Sequence, residues 1–210
     1  MTDDAPDDLT DDAPDDLTDD TPDDRPIGRT ETEVTDGEWP VLESRIEYET
    51  GWYTGGYDLV EQPDGSEKRY YWAELSPAVV VVPVVDDEVV FVEQYRPTIR
   101  QTQLELPAGI VEDGETFTDA GARELREETG FEPAGVSLLQ TMWVATGVLR
   151  HQRAVVFAEG LEPAGFDLDD NEFLTVRSVP RDEAVAIGRE PPTNEATVDA
   201  LLLAQEDGLL

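Results

Sequence analysis

The chain of 210 residues contains no cysteine, which excludes disulfides, thiolate metal sites and cysteine nucleophiles. Histidine occurs once, at His151, so a multi-imidazole metal site is excluded as well. Lysine also occurs once, as Lys68, and the other 13 of the 14 basic residues are arginine. Against them stand 50 Asp and Glu, for a formal net charge of -36. Phosphate backbones need a cationic face, so DNA and RNA binding are excluded as function classes. Long apolar runs are missing too: the longest, Ala78 to Val85, has 8 residues and contains Pro83. A bilayer span needs roughly 18. The N-terminus opens on acidic repeats instead of a basic flank and an apolar stretch, so no secretory signal is visible. Together these absences predict a soluble, cytoplasmic protein without membrane or nucleic-acid partners.

What is abundant is carboxylate. Excess Asp and Glu with scarce Lys fits a surface adapted to molar salt, where the Debye length falls to about 3 Å and self-repulsion is screened. An acidic face for a basic partner is the alternative. Residues 2–25 repeat with period eight as TDDAPDDL, TDDAPDDL, TDDTPDDR, holding 12 Asp against one Arg. Leu9 and Leu17 are too few to offset chain entropy, and the regular prolines interrupt any helix. The expected organisation is a disordered acidic tail over 1–27, a small N-terminal β-subdomain over 28–75 and a main domain over 76–210.

Within 28–75, Val41 to Tyr48, Gly56 to Gln62 and Glu67 to Leu75 read as strands, the last two separated by the turn Pro63-Asp64-Gly65-Ser66. The main domain opens with a hairpin, Ala78 to Val85 and Glu88 to Tyr95 about Asp86-Asp87. Further strands are expected at Gln103 to Leu106, Val136 to Val144, Arg153 to Glu159 and Leu174 to Pro180. Helices are expected at Thr118 to Thr129, stopped by Gly130, and near Arg181 to Gly188 and Asn194 to Gln205. Strands enclosing one interior helix, with another at the end, make an α/β sandwich.

The chemistry concentrates in the interior helix. Glu124, Glu127 and Glu128 are spaced i, i+3 and i+4 and share one face. Like charges so placed repel unless a cation lies between them. Oxygen ligands without His or Cys select a hard cation, Mg²⁺ or Mn²⁺. Mg²⁺ commonly bridges carboxylates to the phosphates of a substrate. A solvated acidic face is the competing explanation of the same spacing.

The surrounding pattern favours the metal. Gly109, five residues, Glu115, seven residues, then Arg123-Glu124-Leu125-Arg126-Glu127-Glu128-Thr129-Gly130-Phe131 resembles the Nudix box at all nine of its defined positions. The resemblance implies a Nudix hydrolase, cleaving a nucleoside diphosphate linked to another group, on a Nudix-type α/β/α sandwich whose mixed sheets enclose the box helix. It makes Glu124 and Glu128 metal ligands. It gives Glu127 either a ligand role or the orientation of a metal-bound water, and makes Arg123 a positioning residue paired with Glu115 or Glu127. Gly109 and Gly130 are expected to permit tight backbone turns.

Segments outside the box resemble the ADP-ribose pyrophosphatase branch. They are Glu93-Gln94-Tyr95-Arg96-Pro97, Leu104-Glu105-Leu106-Pro107-Ala108-Gly109 and the terminal Asn194-Glu195-Ala196-Thr197-Val198-Asp199-Ala200-Leu201. By that resemblance the Ala108 carbonyl joins the metal ligands, and Arg96, with Gln94 beside it, meets the substrate's phosphates, an ion pair with a neighbouring carboxylate being the alternative for Arg96. It implies a homodimer with exchanged N-terminal subdomains, from which Trp39 and Trp72 stack on adenine. Each tryptophan could equally serve core or interface. Asp170-Asn171-Glu172 resembles the branch's acidic loop, making Glu172 the candidate general base and Glu127 the fallback.

One stretch departs from the branch. Its usual Ser-Pro-Gly segment followed by Glu is replaced by Ala145-Thr146-Gly147-Val148-Leu149-Arg150-His151. His151 falls where that Glu would be, and reads as a surface histidine or one just behind the substrate site. The expected function is Mg²⁺-dependent hydrolysis of ADP-ribose or a related ADP-sugar to AMP and a sugar phosphate. A different nucleoside diphosphate substrate, or a regulatory nucleotide-binding protein that no longer cleaves, are the alternatives; loss of a box glutamate would favour the latter, and none is lost.

Overall fold

A computed structural model of the protein describes residues 24–26, 38–165 and 173–210. The acidic repeats up to residue 23 and the segment carrying Glu172 lie outside the described residues. The N-terminal part is an antiparallel meander of β1 (Val41–Glu49), β2 (Tyr53–Glu61) and β3 (Glu67–Leu75). β2 begins earlier than the sequence pattern suggests. Thr50 Oγ1 accepts hydrogen bonds from the backbone of Trp52 and Tyr53 at 3.0 and 2.9 Å, closing the turn quickly. Every residue of β1 is exposed, including Val41, Leu42, Ile46 and Tyr48.

The main domain runs through β4 (Ala78–Val85), β5 (Glu88–Arg96), β6 (Gln101–Glu105), β7 (Ala108–Ile110), α1 (Phe117–Thr129) and β8 (Phe131–Glu132). It continues through β9 (Gly135–Trp143), β10 (Leu149–Arg150), β11 (Gln152–Glu159), β12 (Glu162–Pro163), β13 (Leu174–Pro180), α2 (Ala184–Gly188) and α3 (Glu195–Glu206). Asp86 and Asp87 adopt left-handed φ values of 48° and 69°, as a tight two-residue hairpin requires. The two strands of this hairpin then part. They remain paired only at Val84 with Val89 and Val85 with Glu88. β4 goes on to pair with β11 in parallel and with β7, whereas β5 pairs with β13 and β6.

Alternation along β4 and β11 builds two cores. Val79, Val81, Ala154 and Val156 meet Phe117, Ala120 and Leu125 of α1. Val80, Val82, Val155 and Phe157 meet Ala200, Leu201 and Ala204 of α3. Strands covered on both faces have no polar side to show, which explains the unbroken valine run. The result is the expected α/β/α sandwich.

β10 links the two parts. It pairs in parallel with β3, Leu149 opposite Ala73 and Arg150 opposite Glu74, and so completes a four-stranded sheet in the order β1-β2-β3-β10. The N-terminal sheet therefore takes its fourth strand from the stretch 145–151, far outside 28–75. Nothing in the local pattern of that stretch marks it as a strand, because its pairing partner lies some seventy residues earlier.

Candidate active site

The helix α1 starts where Thr116 accepts from the Asp119 backbone at 3.1 Å. That cap sets the first helical residue at Phe117, one before the sequence expectation. Asp24 completes the end: its backbone carbonyl accepts from Phe117 N at 3.1 Å, and its carboxylate accepts from Thr118 N at 3.2 Å and from Thr118 Oγ1. Three of the helix's first donors are thus satisfied, two of them by the last repeat of the acidic segment. At the far end Gly130 sits at φ 73° and its N–H bonds Arg126 O at 2.9 Å, a left-handed terminus suited to glycine.

Arg123 is the hub of the carboxylates. Its Nε and Nη2 bond both oxygens of Glu115 at 2.9 and 3.0 Å. Nη1 reaches Glu124 at 2.8 Å and Glu127 at 3.0 Å, and Nη2 also bonds the Ile110 carbonyl at 2.8 Å. These hydrogen bonds, with Glu115 foremost, push the guanidinium pKa up, so it stays charged. The Arg123 hydrogen bond in turn holds the Glu115 carboxyl below its ordinary range. The expected positioning role of Arg123 has this geometry: one planar fork fixes the rotamers of three glutamates and the backbone that precedes them.

Glu124 and Glu128 are buried, at 7% and 3% exposure. Glu128 accepts from Ala108 N at 3.2 Å. Gly109 lies in β7 beneath Glu124, and a Cβ there would fall 2.0 Å from the Glu124 carboxyl carbon. The requirement at Gly109 is therefore room for a carboxylate, a correction to the expected tight turn, which holds only for Gly130. Packing Glu124 onto bare backbone brings it beside Ala108, whose carbonyl is the remaining expected ligand.

Among the described residues no three Asp, Glu, His or Cys side chains converge into a preformed metal cage. The donor chemistry nevertheless suits a divalent hard cation: all available ligands are oxygens, two of the carboxylates are buried, and three carboxylates surround a single guanidinium. Glu124, Glu127, Glu128 and the Ala108 carbonyl are the groups that would hold it.

A second polar cluster lies at the end of β5. Arg96 donates from Nε and Nη2 to Glu105 Oε2 at 2.9 and 2.6 Å. Gln94 Nε2 adds a bond to the same oxygen at 3.1 Å, and Asn194 Nδ2 bonds Oε1 at 2.8 Å. Glu105 is almost fully buried, whereas the Arg96 side chain is 42% exposed. The ion-pair alternative for Arg96 is thus realised, and it leaves the Nη1 edge available for another acceptor. Sequence reasoning gave no role to Glu105 or to the Asn194 side chain. Register would not have found the first, since Glu105 stands opposite Val92 whereas Arg96 stands opposite Gln101 across the β5–β6 ladder.

The tryptophans differ. Trp39 is exposed and meets Tyr70 edge-on, with centroids 6.1 Å apart. Trp72 is buried at 8% exposure; its Nε1 bonds Asp58 at 3.1 Å and the Arg150 guanidinium lies 3.9 Å from its ring centroid. Arg150 also pairs with Asp58 and, at 3.6 Å, with Glu74. His151 is buried, which removes the surface alternative of its two readings, and burial pushes its pKa down. Glu172 lies outside the described residues.

The NUDIX domain matches residues 74–201, more than half of the chain. The chain belongs to the Nudix family. As a Nudix hydrolase it is 30% identical over 130 residues to "ADP compounds hydrolase NudE" of Escherichia coli (strain K12), covering 61% of this chain and 70% of that protein. It is 28% identical over 199 residues to the Mus musculus "ADP-sugar pyrophosphatase", covering 84% and 89%. Among solved structures, a crystal structure of an ADP compounds hydrolase superposes with a TM-score of 0.75 at 24% identity, over 82% of this chain and 97% of that one. The likeness of fold extends beyond the Nudix box into the N-terminal sheet.

Proposed function

We propose that this Nudix hydrolase cleaves ADP-ribose or a related ADP-sugar to AMP and a sugar phosphate, using Mg²⁺ or Mn²⁺. The observation that carries the reading is the seat of Glu124 on the bare backbone of Gly109, fixed by Arg123 at 2.8 Å. Such a seat holds a charged side chain in one rotamer at the price of a glycine, which a merely solvated acidic face does not need. The bound cation would offset the charge of the diphosphate and make hydroxide accessible near neutral pH. Arg123 keeps the ligand carboxylates in register, and Arg96 orients the diphosphate through the guanidinium edge not used by Glu105. Water attacks one phosphorus; the bond from that phosphorus to the bridging oxygen breaks, and the bridging oxygen leaves with the other phosphate. The proton released by water passes to a carboxylate, Glu172 or Glu127.

Trp39 is proposed to hold the adenine from its exposed position, while Trp72, buried with its ring against Arg150 and Gly56, takes the packing role that was its alternative. The apolar side chains exposed along β1 support a homodimer in which a second copy covers them. The acidic surface supports a cytoplasm of high salt, with the acidic repeats before Asp24 as a solvating segment. No helix among the described residues is long and apolar enough to cross a membrane. The test is a panel of nucleoside diphosphate derivatives incubated in molar KCl with Mg²⁺ or Mn²⁺, with products resolved by chromatography. ADP-sugars should yield AMP and a sugar phosphate; a panel left wholly intact would overturn the assignment.

A further inference from the structure

We propose that Asn194 is a positioning residue for the substrate's diphosphate, acting through Glu105 on Arg96; this rests on the reading of Arg96 as the phosphate-binding cation. Asn194 uses both ends of its amide. Oδ1 caps α3, accepting from Thr197 N at 2.8 Å, while Nδ2 donates to Glu105 Oε1, also at 2.8 Å. A second bond ties the same helix end to the strand: Thr197 Oγ1, buried, accepts from Leu106 N at 3.1 Å. The N-terminus of α3 is thereby bonded to two consecutive residues, Glu105 and Leu106, three and two positions before Ala108.

The division of labour on Glu105 makes Asn194 more than a cap. Oε2 takes Arg96 Nη2 at 2.6 Å, Arg96 Nε at 2.9 Å and Gln94 at 3.1 Å. Among the described residues Oε1 has only the long Arg96 Nε contact at 3.2 Å besides Asn194. Without the Asn194 amide, Oε1 loses its short bond and the buried carboxylate gains by rotating toward the guanidinium. Arg96 would then be drawn into a symmetric pair with Glu105, turning the edge that should meet phosphate. The Asn194 amide therefore sets the angle at which an exposed cation is presented. An N-cap serving the helix alone needs only an acceptor; this position uses an acceptor and a donor together.

Serine separates the two duties, because its hydroxyl caps a helix as well as asparagine does but does not extend to Glu105. In Asn194→Ser the melting temperature in molar KCl should stay close to wild type, while KM for the ADP-sugar rises about tenfold with kcat little changed. Asn194→Asp, equally competent as a cap, sets a second carboxylate against Glu105 and should raise KM further; it serves as the test should the serine variant fold poorly. Each is combined with Arg96→Ala. If Asn194 acts through Arg96, replacing it in the Arg96→Ala background adds nothing to KM. An equal KM rise in both backgrounds, or wild-type KM in both single Asn194 variants, overturns the inference. Wild-type KM in Arg96→Ala alone would instead overturn the phosphate role of Arg96, a separate failure that the same plates report.

Discussion

Gly109→Ala adds one methyl group at the point where the proposed metal site meets the sheet. The new Cβ would lie 2.0 Å from both Cδ and Oε1 of Glu124 and 2.3 Å from Oε2. Ordinary contact starts near 3.4 Å, so the carboxylate must withdraw by the difference, about 1.4 Å. The clashing atoms are the tip of a flexible side chain, so Glu124 and not β7 should give way. Overpacking of this kind costs about 1–3 kcal/mol, and the low end applies here. Function should suffer far more, since a misplacement of about 1 Å at a reacting centre can cost 100-fold. The expected outcome is a near-native melting temperature, a turnover reduced about 100-fold or more, and activation that needs a higher divalent-cation concentration. Initial rates across an Mg²⁺ titration in molar KCl, paired with thermal unfolding in the same buffer, measure all three. Turnover within a factor of about three of wild type, with an unchanged metal titration, would show that Glu124 does not serve the metal and refute the reasoning.

Glu128→Gln keeps an acceptor for the Ala108 N–H but removes a charge, so turnover should drop about a hundredfold or more, roughly 3 kcal/mol of transition-state stabilisation; an active variant would displace the metal site from this helix. Asp24→Ala removes the side-chain caps on Thr118 but not the backbone bond to Phe117, and should cost about 1 kcal/mol of stability in an unfolding titration with kcat unaltered. Deletion of residues 1–23 should spare both stability and turnover, whereas deletion through residue 25 should show the Asp24 loss. Glu115 has its folded pKa lowered by the Arg123 hydrogen bond, so its stabilisation is present above the ordinary glutamate value of about 4.3 and fades as pH falls through the lower folded value. The stability gap between wild type and Glu115→Gln should accordingly be full at neutral pH and shrink below about pH 4; a gap independent of pH would place the stabilisation elsewhere.

The Nudix box was legible in the sequence because its chemistry is local. Glu124, Glu127 and Glu128 share a helix face by spacing alone, Arg123 reaches back eight residues to Glu115, and the stop at Gly130 is written in neighbouring residues. The valine strands and the terminal helices were readable for the same reason: period and punctuation act over a few residues. Tertiary structure decided everything that depends on two distant segments meeting. It brings Glu124 onto Gly109, turning an apparent turn glycine into a seat for a carboxylate. It brings Asn194 to Glu105 across 89 positions and Arg150 to Asp58 across 92, giving helix cap and linker strand tasks that no window of sequence displays. It also covers Trp72 with Arg150 while leaving Trp39 open, although both read alike as aromatic residues among β-strands. Local spacing determines which groups can share an element; only the packing of elements determines which charge, ring or glycine each group will face.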